Sequence, residues 1–220
     1  MKKTYIYILF AMMAVFCAGL SSCSETNGDD DEFADWKTRN EQYFSSAYAA
    51  AKSKSLEQGD QWKVVRNFSL NSEVATHDYD NIIVEVLKAG TGSGCPFYTD
   101  SVKVHYSGRL IPSKSYSQGK LFDQSWTGDY NLATMQPATF AVNRVVDGFA
   151  TALQYMHIGD RWRVTIPYQL GYGSGSDPGA AYSTLIFDIT LVAYFRVEAP
   201  AQSPSRNGES KAVRGHWVYE

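Results

Sequence analysis

The residue types in this sequence that could do chemistry are mainly aromatic. The chain contains 15 Tyr and 11 Phe, enough to line an apolar pocket as well as to fill a core. No His/Cys group has the spacing of a metal site, and no Gly-rich loop ends in Lys-Ser or Lys-Thr. Cys95 lies in a Gly-Ser-Gly-Cys-Pro turn, where a lone thiol is more often inert than reactive. With a formal charge of −3 and no broad basic field, the sequence predicts no nucleic-acid partner, no metal and no cofactor.

The Cys23 thiol is a second group with a chemical role, because it ends a targeting segment. Two lysines follow Met1, and an apolar run from about Tyr5 to Leu20 is shorter than the ~20 residues that a spanning helix needs. The run ends in Leu-Ser-Ser-Cys, which resembles a bacterial lipobox, where cleavage precedes the cysteine and the thiol is acylated. The sequence therefore predicts a lipoprotein signal peptide over 1–22, with a plain signal peptide or a short membrane anchor as alternatives.

An acidic tether is predicted to follow, over residues 23–32. Removal of 1–22 takes away two lysines and no acid, so the formal charge falls from −3 to −5. The run SETNGDDDE is typical of a solvated, disordered segment, and its alternative role is an address for the outer face of an outer membrane. The expected location is the cell envelope of a gram-negative bacterium, lipid-anchored in the outer membrane and either periplasmic or surface-exposed.

Residues 33–77 are predicted to hold one helix and a connector. The stretch 32–55 lacks Pro and Gly, and its apolar residues recur at helical spacing with an interruption at Asn40. The helix could pack on the main domain, pair with a second copy to form a homodimer, or space the domain from the membrane; packing is favoured. Trp62 to Val65 form a short apolar patch that could be a strand. The helical stripe consists of Phe33, Trp36, Tyr43, Phe44, Ala47, Ala50 and Ala51.

The main domain is predicted over 78–195 from short β segments and one helix. The helix is expected to start at Asp147 as its cap and to end before Gly159, with apolar residues at helical spacing between them. Strands without a βαβ rhythm favour an α+β fold, an antiparallel sheet with one helix on one face. The tail 196–220 is predicted to be flexible, its last residues a frayed end, a docked segment or a partner tag. The β segments are 82–87, 102–106, 121–123, 138–142, 161–166 and 185–192.

Four segments of the main domain resemble, in order, the FKBP family of peptidyl-prolyl cis/trans isomerases. Each segment is a weak signal by itself, whereas their order and spacing over about 115 residues are specific. The resemblance covers a little over half of the chain and does not extend to its flanks. The segments are Val104–Gly108, Gly119–Ser125, Phe140–Phe149, and a composite of Gly159–Pro167, Gly171–Gly173 and Ser183–Asp188.

The resemblance implies a curved antiparallel sheet wrapped around one short helix, with an aromatic cup between them. It also implies an isomerase that assists the folding of exported proteins and binds proline-containing polypeptides. By their positions in the motifs, the residues with expected catalytic roles are Tyr106, Asp123, Val146 and Tyr172. Those expected to bind substrate are Phe122, Phe140, Val145, Phe149 and Phe187.

In such a cup, catalysis would need no nucleophile and no proton transfer. The X-Pro amide turns over a barrier of ~18–20 kcal/mol, and its twisted form has less charge separation, so an apolar cup favours it over the planar ground state. The resemblance places the Val146 N–H and the Tyr172 hydroxyl against substrate carbonyls. Asp123 is expected to orient Tyr106, whereas His105 alternates with Tyr106 along a strand and therefore faces away from the cup.

The sequence departs from the family pattern at several positions. Phe149 stands where Trp is common, Ala138 stands where an aromatic residue is often found, and the loop 173–183 is short. The loops 109–120 and 124–137 look long and are expected to overhang the cup. These departures predict low activity or an unfamiliar substrate, and they weaken the expectation of macrolide binding. The alternatives to an active isomerase are a peptide-binding or chaperone module without turnover, and a structural lipoprotein of a surface assembly.

Overall fold

The computed structural model describes residues 32–175, 181–197 and 214–220. The predicted signal peptide, Cys23 and nearly all of the predicted acidic tether lie outside the described residues. Contacts divide the chain into the units Met1–Ala34 and Asp35–Glu220, and the helices and strands that position the candidate site belong to the second. Among the described residues, no helix is both long and apolar enough to span a membrane.

The described part of the unit Asp35–Glu220 contains two α-helices and eight β-strands. Helix α1 spans Trp36–Glu57 and helix α2 spans Asp147–Tyr155. Short 3-10 turns cover Asp78–Asp80, Val142–Arg144 and Tyr168–Leu170. The strands are β1 (Trp62–Arg66), β2 (Asn81–Lys88), β3 (Ser101–Leu110), β4 (Leu121–Gln124), β5 (Ala138–Ala141), β6 (Arg161–Ile166), β7 (Leu185–Val197) and β8 (Gly215–Val218).

The strands form one antiparallel sheet in the order β1-β2-β6-β7-β3-β4, with β5 also paired to β3 and β8 to β7. Strand β3 is central to the candidate site because it has three neighbours. It pairs with β7 along its whole length, and its other edge is divided between β5 at residues 101–104 and β4 at residues 107–109. An antiparallel sheet with one short helix and an N-terminal helix confirms the predicted α+β fold class.

The two helices pack on opposite faces of the sheet, because successive side chains of a strand point to opposite faces. Ile83 pairs with Thr165, so Ile83 and the next β6 residue, Ile166, lie on different faces. Ile83 packs in a cluster with Phe44 of α1. Ile166 lies so close to Gly148 that a Cβ there would overlap it, and glycine therefore lets α2 approach the sheet. The face that carries Ile83 is called the α1 face, and the face that carries Ile166 is called the α2 face.

Helix α1 packs on the sheet, as the favoured alternative predicted, and Asn40 belongs to its buried side. The Asn40 side chain is fully buried; it donates to the Trp36 carbonyl at 2.7 Å and accepts the Thr184 N–H at 2.7 Å. Trp36 also donates from its indole to the Ser183 hydroxyl at 2.8 Å. The prediction that Asn40 interrupts the stripe is wrong, because backbone groups satisfy its polar atoms. A homodimer through α1 stays a prediction.

The N-cap of helix α2 lies one residue earlier than predicted. Val146 is the N-cap, with φ −60° and ψ 150° and no side-chain cap, and Asp147 is the first helical residue. The prediction that Asp147 caps the helix is therefore wrong, although its carboxylate still lies in the first turn, where the helix dipole favours negative charge. The helix ends at Tyr155, and the buried Met156 follows it.

The C-terminal residues form a strand where the sequence predicted a frayed end. Strand β8 pairs antiparallel with residues 194–197 of β7. Trp217 packs edge-on against Phe195, with ring centroids 5.5 Å apart. The prediction of a flexible tail is therefore wrong for 215–218, because the edge of β7 and the Phe195 ring hold this segment. Residues 198–213 lie outside the described residues.

Candidate functional site

An aromatic cup opens on the α2 face, between α2 and strands β3, β4, β5 and β7. Its volume is about 190 Å³. Every residue of the predicted site except Phe122 lines this cavity, together with one residue that was not predicted, Arg144. The lining residues are Tyr106, Asp123, Phe140, Arg144, Val145, Val146, Phe149, Tyr172 and Phe187.

Four rings of the cup pack against one another, mostly edge to face. Phe149 of α2 forms the floor: its ring centroid lies 5.0 Å from that of Phe187 and 6.2 Å from that of Tyr106, with interplanar angles of 87° and 88°. Phe140 lies 5.4 Å from Tyr106 at 68°. Phe149 and Phe187 are each only 4% exposed, so these rings belong to the core as well as to the cup. Each such pair contributes about 0.5–1.5 kcal/mol beyond burial and restricts the shape of the cavity.

Tyr106 and Asp123 form a hydrogen-bonded pair in the wall of the cup. The Tyr106 hydroxyl donates to Asp123 Oδ2 at 2.6 Å, and Asp123 Oδ1 accepts the Gln124 N–H at 2.8 Å. Burial, and then the hydrogen bond to Asp123, raise the pKa of Tyr106. The phenol therefore keeps its proton at neutral pH and stays a donor. This geometry agrees with the predicted orienting role of Asp123 and requires no proton transfer.

Phe122 does not line the cavity but packs against Phe187, which does. Their ring centroids are 5.5 Å apart at an interplanar angle of 84°. Gly108 on β3 makes this packing possible, because a Cβ there would lie 2.5 Å from Phe122 and 2.6 Å from Phe187. Sequence reasoning did not assign Gly108 to the site, although a glycine inside a strand often marks a close approach of another group.

The N-terminus of α2 faces the cup through Val145 and Val146. No described residue accepts a hydrogen bond from the Val146 N–H. The first N–H groups of a helix lack intrahelical partners, and the helix end carries about half a positive charge. A carbonyl oxygen in the cup would meet a donor and a favourable potential at this point. The predicted role of Val146 therefore stays a prediction with a suitable geometry.

Tyr172 lies at the rim and is 46% exposed. Its loop is held at both ends: the Gly173 N–H donates to the Tyr168 carbonyl at 2.8 Å, and the Tyr182 N–H donates to the Gly173 carbonyl at 2.9 Å. The rings of Tyr168 and Tyr182 also pack edge to face, 5.2 Å apart. This anchoring positions Tyr172 beside the cup; residues 176–180 lie outside the described part of the loop.

Arg144 lines the cup, and sequence reasoning missed it. It ends the 3-10 turn Val142–Arg144, directly before Val145. Its position inside the motif Phe140–Phe149 could have drawn attention to it, because residues on both sides were assigned to the cup. Arg144 is the one cationic side chain in this segment, and a pattern of apolar residues that could hold a ring gives it no weight.

The two long loops make contacts on the α1 face. In the loop 124–137, the Tyr130 hydroxyl lies 2.6 Å from the Thr190 hydroxyl, which points away from the cup because it is an odd number of residues from Phe187. Residues of the loop 109–120 line a separate cavity on that same face. The expectation that these segments overhang the cup is wrong for the residues concerned, which are Pro112, Ser117, Gln118 and Tyr130.

His105 lies outside the cup, as the sequence predicted, and Cys95 does not line it either. His105 is 3% exposed on the α1 face, and its Nδ1 has no partner among the described residues. Burial lowers the pKa of its imidazole, which keeps the ring neutral. Burial, followed by the nearby Asp160 charge, raises the pKa of the Cys95 thiol. A protonated thiol is a poor nucleophile, which agrees with the interpretation of Cys95 as inert.

A larger cavity of about 600 Å³ lies on the α1 face, between α1 and the sheet. Its two carboxylates are ion-paired, Asp188 with Arg161 and Glu85 with Arg163, both at 2.7 Å. The smaller cup is the better candidate site, because four packed rings, a hydrogen-bonded Tyr–Asp pair and a helix N-terminus converge there.

Comparisons with known proteins point to one family for the segment that carries the cup. A family model described as FKBP-type peptidyl-prolyl cis-trans isomerase matches residues 95–192, a range that contains every residue lining the cup. The chain is 37% identical over 114 residues to the macrophage infectivity potentiator of Trypanosoma cruzi, covering 51% of this chain and 52% of that protein. It is 39% identical over 110 residues to the FKBP-type 22 kDa peptidyl-prolyl cis-trans isomerase of Escherichia coli (strain K12), covering 49% and 47%.

A third relative is the outer membrane protein MIP of Legionella longbeachae, 37% identical over 111 residues, which cover 50% of this chain and 42% of that protein. The chain spans about half the length of the curated relatives it matches. The similarity therefore concerns the domain that carries the cup.

Proposed function

We propose that this protein is a peptidyl-prolyl cis/trans isomerase that assists the folding of exported polypeptides, because residues 95–192 match a family model described as FKBP-type peptidyl-prolyl cis-trans isomerase. The observation that carries the proposal is the cup itself. Rings of Tyr106, Phe140, Phe149 and Phe187 surround a cavity of about 190 Å³ with polar groups at its edge. A prolyl ring is a small apolar group, and such a cavity suits it.

The cup would act by favouring the twisted amide over the planar one. Rotation about the X-Pro bond crosses a barrier of ~18–20 kcal/mol because amide resonance is lost. The twisted amide separates less charge, so it tolerates transfer from water into an apolar cavity better than the planar form does. Each ~1.4 kcal/mol of such differential stabilisation gives a tenfold acceleration. The site needs only to exclude water and hold the ring.

Polar groups at the edge would hold the rest of the peptide. The Val146 N–H would donate to one substrate carbonyl, supported by the partial positive charge at the start of α2. The Tyr172 hydroxyl would donate to another carbonyl at the rim. Asp123 would hold Tyr106 in the wall without taking a proton from substrate. These roles are proposals that rest on the positions of the side chains around the cavity.

The direct test is the cis-to-trans rate of an Ala-Leu-Pro-Phe tetrapeptide with the chain that begins at residue 24. We expect a marked acceleration over the uncatalysed exchange, which takes tens to hundreds of seconds. Asp123→Ala removes a charge-assisted hydrogen bond and should lower kcat/KM about tenfold, and Tyr172→Phe should lower it about fivefold. Neither substitution should change the far-ultraviolet circular dichroism spectrum.

Matched controls separate loss of function from general damage. Asp129→Ala and Tyr155→Phe change the same residue types at exposed positions that do not line the cup, and both should keep wild-type kcat/KM. Acceleration that is indifferent to Asp123 and Tyr172 would place catalysis elsewhere. Peptide binding without acceleration would support the alternative of a peptide-holding module, which Ala138 favours because it leaves one part of β5 without a ring in the cup.

We also propose that Cys23 carries lipid and anchors the protein in the bacterial cell envelope. The Leu-Ser-Ser-Cys sequence supports the proposal, and so does the similarity to the outer membrane protein MIP of Legionella longbeachae. Metabolic labelling with a radioactive fatty acid should mark the wild-type chain in gram-negative cells and should leave Cys23→Ser unlabelled. Equal labelling of both chains would rule out Cys23 as the acylated residue.

A further inference from the structure

Arg144 is the one cationic side chain among the described residues that line the cup. Its side chain is exposed, and no described residue forms an ion pair or a hydrogen bond with it. Other arginines of the domain are already paired: Arg161, Arg163 and Arg196 each have a carboxylate partner within 3.0 Å. Arg144 therefore keeps its full hydrogen-bonding capacity at the cavity that is proposed to hold the prolyl ring.

The charges around Arg144 leave it able to attract an anion. The Asp123 carboxylate, which also lines the cup, already accepts hydrogen bonds from Tyr106 and from the Gln124 backbone. Asp147 lies in the first turn of α2, where it offsets the partial charge of the helix end. Neither carboxylate forms an ion pair with Arg144 within the described structure. The guanidinium can therefore bind a carboxylate brought in by the ligand, with two parallel hydrogen bonds.

We infer that Arg144 is a specificity-determining residue, which favours X-Pro substrates with a glutamate or aspartate next to the proline. This inference rests on the proposed isomerase function. A neighbouring residue has its Cα about 3.8 Å from that of the proline, so its side chain can reach the edge of the cavity that holds the prolyl ring. An apolar cup alone selects only the ring; Arg144 adds a charge requirement to the adjacent position.

The test compares peptide pairs that differ only in charge. The first pair is Ala-Glu-Pro-Phe and Ala-Gln-Pro-Phe; the second is Ala-Leu-Pro-Glu and Ala-Leu-Pro-Gln, so that both neighbours of the proline are covered. We expect a kcat/KM about three- to tenfold higher for the glutamate member of at least one pair at low salt. Sodium chloride at 1 M, where the Debye length is about 3 Å, should remove most of the difference.

Arg144→Gln should bring the glutamate-to-glutamine ratio of kcat/KM to about one, and Arg144→Glu should bring this ratio below one, because two carboxylates repel each other. The ratio is taken within each variant, so a change in overall activity does not affect it. Arg66→Gln is the matched control, because Arg66 is exposed on β1, at the far edge of the sheet, and carries the same charge. It should keep the wild-type ratio.

The outcomes separate this inference from the proposed function. Acceleration of all four peptides with ratios near one in the wild-type chain would overturn the role of Arg144 and leave the isomerase function intact. A glutamate preference that persists in Arg144→Gln would also overturn it. Failure to accelerate any of the peptides would instead contradict the proposed function itself.

Discussion

Phe149→Ala is expected to lower kcat/KM for X-Pro isomerisation by at least about tenfold and to cost about 3–5 kcal/mol of unfolding free energy. The Phe149 ring is 4% exposed and contacts three other rings of the cup. Its removal would open the floor, admit water and release Tyr106 and Phe187 from their edge-to-face packing. Activity should be measured at low temperature, where the variant is still folded, and stability by urea denaturation.

Phe195→Ala is the matched control for the floor residue. Phe195 lies on the same sheet but packs against Trp217 near β8, away from the cup. It should lose stability through the same kind of truncation while kcat/KM stays within about twofold of the wild-type value. Equal losses of activity in both variants would mean that activity follows global stability, and the floor would then have no special role.

Gly108→Ala is expected to destabilise the protein by about 1–3 kcal/mol and to lower kcat/KM about tenfold. The added methyl group would lie 2.5 Å from Phe122 and 2.6 Å from Phe187, so at least one ring must move. Phe187 lines the cup, and a shift of its ring changes the shape of the cavity. Urea denaturation and the tetrapeptide assay measure the two effects.

A double-mutant cycle tests whether this clash is the cause. Phe122→Leu beside Gly108→Ala should relieve the contact, so the double variant should be more stable than the sum of the single effects predicts. Ser107→Ala, one residue along β3 on the α1 face, should change activity little. Strictly additive effects of Gly108→Ala and Phe122→Leu would contradict the packing described between them.

The fold class and nearly all of the cup could be predicted because their signals are local. Strand residues such as Tyr106 and Phe140 lie in short segments of β-branched and aromatic residues, and their motifs keep order and spacing. The one helix has its own apolar periodicity around Phe149. For residues of this kind, the neighbouring residues in the sequence are enough to predict the strand or helix and its buried side. The structure brings these residues together around the cavity on the α2 face.

The features that sequence reasoning missed depend on contacts between distant segments. Asn40 belongs to the buried side of α1 only because the Thr184 N–H, 144 residues later, needs an acceptor. Strand β8 forms because the edge of β7 is open to it at residues 194–197. Tyr130 turns to the α1 face because a hydroxyl of β7 meets it there. In each case the deciding partner lies far away in sequence.

Arg144 illustrates a different limit. Its position was inside a recognised motif, but a pattern that selects rings gives no weight to a charged side chain between them. Only the cavity shows that Arg144 lines the same space as the apolar residues. Specificity is therefore harder to predict from the motif than the catalytic cup is.

The most direct measurement of the central claim is two-dimensional NMR exchange spectroscopy of an Ala-Leu-Pro-Phe peptide with a substoichiometric amount of the protein. The account predicts cis–trans exchange cross-peaks that the peptide alone does not give, and transferred Overhauser effects between the prolyl ring protons and the rings of Phe149 and Tyr106. Exchange at the uncatalysed rate, or prolyl contacts to residues of the α1 face instead, would contradict it.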